Sequence, residues 1–215
     1  MSLESSWNAF NETAAKKYLD PSWHPNSQSL PTLIEVINAL RYKNISILEL
    51  GCGNASNLPV LRRGLSPADV EYHGIDFSEP LLNAALASID RTRDSLDYQN
   101  ISNLSAPILR RDCQKFDLCL ISHVIEIVES PSQLLSLAKQ SANKVIIRWF
   151  RPPTQDLTRC ELLQMNREQT GNLEPVPFIR WSINHDDYVA WSQKAGFRQI
   201  EAHNTIITDR IDLLY

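Results

Sequence analysis

The sequence lacks a basic surplus. Its 21 Lys and Arg are outnumbered by 25 Asp and Glu, which leaves a net charge of −4. A general nucleic-acid binder needs a basic face to displace counterions from phosphate, so no nucleic-acid partner is expected. The pairs Arg62-Arg63 and Arg110-Arg111 read as solvated surface. No apolar run approaches the roughly 20 residues that cross a bilayer, so no membrane partner is expected. The first residues, Met1 to Trp7, carry neither a basic nor an apolar signal region, and the expected location is cytoplasmic. Cysteine is sparse. Cys52, Cys113, Cys119 and Cys160 form no C-x-x-C pair, and no His stands at zinc-ligand spacing from them. No metal is therefore expected, and Cys119, inside an apolar run, reads as a buried thiol.

What is present is an ordinary soluble composition, 43% hydrophobic and 21% charged, in 215 residues. That is enough for one domain with a sizeable core, or a domain with a small lid. Residues 3–19 have aromatic and apolar positions, from Trp7 to Tyr18, at helical spacing, and 30–42 read as a second amphipathic helix. We take residues 1–43 as an N-terminal helical cap and 44–215 as the main domain.

From 45 to 150 strand-like and helix-like segments alternate. Apolar strands are expected at Ile45–Leu50, Val70–Ile75, Leu96–Tyr98, Phe116–Ser122 and Lys144–Phe150, with helices near 56–63, 79–89 and 131–141. Such alternation specifies a mostly parallel α/β sheet covered on both faces. Ser78 is a suitable N-cap for the helix that begins at Glu79. After Pro152-Pro153 the rhythm breaks. Residues 151–183 are too long for an ordinary connection and are expected to form a substrate-binding insertion with at most one helix, near 157–166. A helix at 185–195 closed by Gly196 and two final strands, 198–203 and 205–213, complete the chain.

The chemistry concentrates at Glu49-Leu50-Gly51-Cys52-Gly53. Two glycines between an apolar strand and a helix let the backbone approach a ligand, and the helix N-terminus offers free N–H groups. A tight structural turn would look the same. Asp76 ends the next strand, where an acid can accept hydrogen bonds from both ribose hydroxyls of an adenosine ligand. The dinucleotide fingerprint G-x-G-x-x-G requires a third glycine where this chain has Ser56. It has instead an acid, Glu49, at the strand end. That favours a cationic ligand without phosphate.

Together Ile47-Leu48-Glu49-Leu50-Gly51-Cys52-Gly53, Gly74-Ile75-Asp76-Phe77-Ser78, the run Phe116 to Glu126, and Ala195-Gly196-Phe197 resemble the ordered motifs of class I S-adenosylmethionine (SAM)-dependent methyltransferases. The resemblance covers about 45–150 well and 185–213 loosely. It implies a Rossmann-like seven-stranded sheet with its last strand antiparallel, an N-terminal helical lid, and an insertion after strand 5. It implies SAM as cofactor and S-adenosylhomocysteine (SAH) as product. The cofactor-binding residues it implies are Glu49, Gly51, Cys52, Gly53, Ala55, Asp76, Phe77, Ser122 and His123. The chain departs from the pattern at Ala55, where the family has a third glycine, and at Glu126-Ile127, where it often has Glu-His. No acid follows the third strand, so Asn100 and the Ile101 backbone amide are assigned to the adenine.

Methyl transfer from a sulfonium is an in-line displacement, so the protein must position the acceptor, exclude water and, for some acceptors, remove a proton. His123 and His185 are the candidate bases. His123 can equally line the cofactor pocket, and His185 can cap a helix. Tyr18, Arg148, Trp149 and Arg180 are candidate acceptor-binding residues. Either Arg can clamp an acid, or pair with a local carboxylate beside a packing Trp. The expected activity is methylation, preferably at oxygen, of a small molecule or short peptide by a monomer or homodimer. A non-catalytic SAM-binding partner subunit and an NAD-dependent oxidoreductase are the alternatives.

Overall fold

A computed structural model describes residues 29–87, 89–149, 157–165 and 176–198. The first element is helix α1, Ser29–Ala39, followed by strand β1, Asn44–Leu50, and helix α2, Asn57–Gly64. Next come β2, Asp69–Asp76, α3, Glu79–Ala85, and β3, Asp94–Tyr98. A short 3-10 turn at Ile101–Asn103 precedes β4, Phe116–Ser122, α4, Pro131–Ser141, and β5, Ala142–Arg148. Strands β6, Arg159–Met165, and β7, Val176–Ser182, lead to α5, His185–Lys194.

The main sheet has five strands in the order β3-β2-β1-β4-β5, every pair parallel. Side chains alternate between its faces, as the pleat requires. On one face Ile45 and Ile47 of β1 and Leu118 and Leu120 of β4 bury against Leu33 and Ile37 of α1, Leu58 and Leu61 of α2, and Leu82 of α3. On the other, Leu48, Leu50, Cys119 and Ile121 pack on Leu134, Leu137 and Ala138 of α4. Burial on both faces explains the near-continuous apolar character of β1 and β4. Strand order reverses between β1 and β4, and the crevice beyond the C-terminal ends there is where open α/β sheets hold ligands.

The α/β architecture and the parallel sheet are as expected, and β4 and α4 fall on the expected residues. Three details differ. The segment expected to be a helix near 157–166 is strand β6, paired antiparallel with β7. Its Glu, Leu, Gln and Met residues favour helix locally, but pairing with a partner strand overrides a weak propensity. Arg62 is not a solvated surface residue: its Nη2 grips both oxygens of Asp94, whose side chain is fully buried, at 2.6 and 2.9 Å. Arg110 pairs with Glu71 and Asp112. The expected helix 3–19 with Tyr18, and the final two strands beyond Arg198, lie outside the described residues, as does the seven-strand count that depends on them.

Candidate functional site

The loop after β1 is folded around its two glycines. Gly51 has φ +73° and Gly53 φ +54°, the left-handed region that a Cβ disfavours. At Gly51 space is also decisive, since a Cβ would lie 2.4 Å from Val124 Cγ2. The N–H groups of Gly51 and Cys52 both donate to Ile75 O, at 2.8 and 3.0 Å, which seats the loop on the end of β2. Ala55, at the family's third glycine position, also adopts a positive φ of 55° and is fully buried. Cys52 is buried beneath the loop, and burial pushes its thiol well above the ordinary range.

Asp76 closes β2 against this loop. Its Oδ2 accepts the Gly53 N–H and its Oδ1 accepts the Ser78 N–H, each at 2.8 Å. Burial raises its carboxyl, and the backbone donors from Ser78, Gly53 and Phe77 pull it back. The expectation that Ser78 caps α3 with its side chain is corrected. Ser78 stands at the N-cap position, but its hydroxyl makes no capping bond, and Asp76 takes the Ser78 N–H instead. Asp76 therefore arrives already oriented by three backbone donors, with acceptor capacity left for a further one.

Glu49 is buried at 1% exposure with a donor on each oxygen. Tyr72 Oη donates to Oε2 and Asn57 Nδ2 to Oε1, both at 2.6 Å. Burial pushes its carboxyl up to about 7, while those two bonds and the Arg148 guanidinium act against that rise. Sequence reading missed Tyr72 and Asn57. Parity was the available signal: Gly74 lies opposite Glu49 in register, so Tyr72, two residues earlier, shares its face.

At the switch point β4 ends in Ser122, followed by His123 with φ +58°. The His123 N–H donates to Arg148 O at 2.8 Å, so the ends of β4 and β5 are tied. Its Nδ1 lies 3.4 Å from Oε1 of Glu126, whose side chain is 5% exposed. Glu126 in turn is fixed through its carbonyl, which accepts the Trp181 N–H of β7 at 2.6 Å. Glu126 was not among the candidates from sequence, although its spacing from His123 places both on one tight turn. Asn100 Oδ1 accepts the Ser102 N–H at 2.9 Å and so begins the turn that buries Ile101. Gln99 N–H donates to Asp76 O at 2.9 Å and holds that segment beside the end of β2.

The acceptor candidates are more scattered. Arg148 Nη1 donates to Ser122 Oγ at 2.9 Å and to Asn57 Oδ1 at 3.4 Å. Trp149 packs on Tyr188, with ring centroids 4.6 Å apart. Arg180 lies in β7 opposite Glu161. His185 opens α5 but does not cap it, because Asn184 Oδ1 accepts the Asp187 N–H at 2.8 Å.

The donor set fits a cationic adenosine ligand. Two buried acids, Glu49 and Asp76, flank a loop whose own residues, Gly51 to Ala55, carry no base. Two buried polar atoms beside them, Asn54 Nδ2 and Ser78 Oγ, make no hydrogen bond among the described residues. Two buried acids beside a single guanidinium, that of Arg148, suit a ligand that brings its own positive charge. SAM carries an ammonium and a sulfonium, and when bound it supplies the activated methyl group.

Residues 48–144 match the family model described as a methyltransferase domain, a span that includes the glycine loop, Asp76 and His123. Among curated proteins, the ubiquinone biosynthesis O-methyltransferase of Coxiella burnetii is 24% identical over 195 residues, covering 83% of this chain and 77% of that protein. The CcbJ methyltransferase of Streptomyces caelestis shares the fold at TM-score 0.55 and 14% identity, with 80% of each chain covered. The N-terminal domain of EvdMO1, solved with SAH bound, does so at TM-score 0.57 and 18% identity, covering 83% of this chain and 75% of that one. The matched span contains the glycine loop, Asp76 and His123 of the site built above, and the chain is similar in sequence and in fold to SAM-dependent methyltransferases.

Proposed function

We propose that this enzyme methylates an oxygen atom of a small molecule or short peptide, with His123 as general base. The observation that carries this reading is the His123–Glu126 pair at the end of β4, 3.4 Å apart with the carboxylate buried. A hydroxyl acceptor must lose its proton as the methyl arrives. A carboxylate beside Nδ1 favours the tautomer protonated there, which leaves Nε2 as the proton acceptor. Such contacts are often long before substrate binds and tighten afterwards. The name of the Coxiella burnetii relative, an O-methyltransferase, points to the same acceptor atom.

In this reading Glu49 faces the cofactor ammonium, and Asp76 the ribose. Gly51, Cys52, Gly53 and Ala55 shape the loop, with Phe77 and Ser122 beside it. Asn100 and Ile101 face the adenine. Trp149, Arg180, His185 and Tyr18 belong to the acceptor side, with residues 151–183 as its insertion. The protein works in the cytoplasm as a monomer or homodimer, and no helix among the described residues is long and apolar enough to cross a membrane.

The test is transfer of isotope-labelled methyl from SAM to a panel of small hydroxyl, carboxyl and amine acceptors, with the product atom identified by mass spectrometry and NMR. An O-methyl product is expected. A labelled nitrogen would overturn the oxygen assignment. Tight SAH binding with no transfer to any acceptor would favour a non-catalytic subunit, and stabilisation by NAD but not SAH an oxidoreductase. Ligand at a hundredfold excess over Kd stabilises a protein by about 2.7 kcal/mol, so a thermal shift suffices for the binding arm.

A further inference from the structure

A single chain of side-chain hydrogen bonds crosses the C-terminal edge of the sheet under the cofactor loop. Tyr72 on β2 donates to Glu49 on β1, and Asn57, the first residue of α2, donates to the other Glu49 oxygen, both at 2.6 Å. Asn57 then accepts from Arg148 on β5 at 3.4 Å, and Arg148 donates to Ser122 on β4 at 2.9 Å. The Asn57 amide is the joint. A primary amide offers a donor at one end and an acceptor at the other. With Nδ2 committed to a carboxylate, Oδ1 faces a donor, and the guanidinium supplies it. The strip thus joins both sides of the switch point.

We propose that Arg148 and Asn57 are positioning residues for the cofactor: through the Asn57 bridge, Arg148 sets the place and the charge of Glu49, and so governs SAM binding rather than gripping the acceptor. The proposal rests on the reading that Glu49 faces the cofactor ammonium. It replaces the acceptor clamp expected for Arg148, because the guanidinium points along the edge of the sheet at Ser122 and Asn57.

The electrostatics agree with the geometry. Among the described residues, the titratable groups on the Glu49 side of the sheet are Tyr72 and Asp76 from β2, Cys52 from the loop and Arg148 from β5, while Cys119 of β4 lies across the sheet on the other face. Arg148 is the cation of this set, and it opposes the upward push of burial and of Asp76 on the Glu49 carboxyl. Burial lowers the affinity of Arg148 for its own proton, and Glu49 restores it. A protonated Glu49 would have no charge to offer an ammonium. Loss of Arg148 must therefore make cofactor affinity depend on pH at higher values than in the wild type.

The experiment is calorimetric binding of SAH to the full chain between about pH 6 and about pH 8.5, for wild type, Arg148→Met, Arg148→Lys, Asn57→Leu and Glu49→Gln. Arg148→Met is expected to weaken binding about tenfold near neutral pH, to move the midpoint of the pH dependence up by about one unit, and to recover at the alkaline end. Arg148→Lys, which keeps the charge, holds its midpoint within about 0.3 unit of the wild type. Asn57→Leu, which breaks the bridge, moves the midpoint upward too, and it decides the matter if Arg148→Met does not fold. An unchanged midpoint in the folded Arg148→Met or Asn57→Leu protein, or a loss equal at every pH, overturns the proposal. Glu49→Gln separates the two layers. If it binds SAH like the wild type, the ammonium reading of Glu49 fails. If it binds weakly without pH dependence while Arg148→Met keeps the wild-type midpoint, only the role of Arg148 fails.

Discussion

Asp76 and Gly53, 23 positions apart in sequence, are joined by a 2.8 Å hydrogen bond from the glycine N–H to Oδ2. The same carboxylate takes the Ser78 N–H on its other oxygen. One acid therefore holds the cofactor loop against β2 and starts α3. The oxygens assigned to the ribose are fixed before any ligand arrives, which lowers the ordering cost of binding.

Because Asp76 has two duties, its substitutions should separate. Under the ribose assignment, Asp76→Ala removes the carboxylate acceptors and strands its backbone donors, so SAH affinity should fall at least about tenfold and stability by about 1–3 kcal/mol. Asp76→Asn keeps one acceptor oxygen and most of the shape, so it should lose affinity with a smaller loss of stability. Calorimetry with SAH beside chemical denaturation reads both. Unchanged SAH affinity in Asp76→Ala would refute the ribose assignment.

Ala55 gives a prediction of near-cancellation. A left-handed φ costs a non-glycine residue about 1–2 kcal/mol, which Ala55→Gly would relieve. Against this stand about 0.8 kcal/mol for a buried methyl and about 0.5–1 kcal/mol for glycine's extra chain entropy. Ala55→Gly should therefore leave stability within about 0.5 kcal/mol of wild type. Ala55→Val, a branched residue at a fully buried position, should lose more than about 2 kcal/mol. Urea unfolding midpoints decide, and a well-tolerated Val would contradict the local geometry.

Stability of the ligand-free protein should depend on Glu49. Its carboxyl is raised from the ordinary 4.5 to about 7, so the folded state binds the proton more tightly than the unfolded chain. Its contribution is then fully present below about pH 4.5 and is lost as pH rises through about 7. The loss amounts to about 3 kcal/mol at most. His73 works in the opposite direction. Burial lowers its affinity for the proton, so its contribution is present above about pH 6.5 and is lost as pH falls. Glu49→Gln should remove the alkaline component and leave the acidic one, as measured by denaturation across pH. A Glu49→Gln protein with the wild-type pH profile would exclude Glu49 as its source.

His123→Ala should lower kcat/KM about a hundredfold or more for a hydroxyl acceptor, with SAH affinity within about twofold of wild type. Glu126→Gln should fall between the two and alter the pH profile of transfer. Normal turnover in His123→Ala would remove the residue as a base, and a large loss of SAH affinity would assign it to the cofactor pocket.

The sequence by itself determined the α/β alternation from 45 to 150, the glycine turn after β1 and the acid that ends β2. These are local signals: apolar runs of strand length, glycines at a strand end, an acid two residues after Gly74. Partnership decided the rest, and only the tertiary structure supplies it. Arg159–Met165 reads as a helix alone and becomes a strand because β7 lies beside it. Arg62 reads as surface until Asp94, 32 positions away, appears under it. Glu49 is visible as an acid at a strand end, but its donors come from the next strand and the next helix. Arg148 is visible as a basic residue at a strand end, but the Asn57 amide that meets it across the sheet edge lies 91 residues earlier. Periodicity and turn chemistry act over a few residues, and so are written locally. Buried charges find their partners through space, and which residues those are depends on strand order.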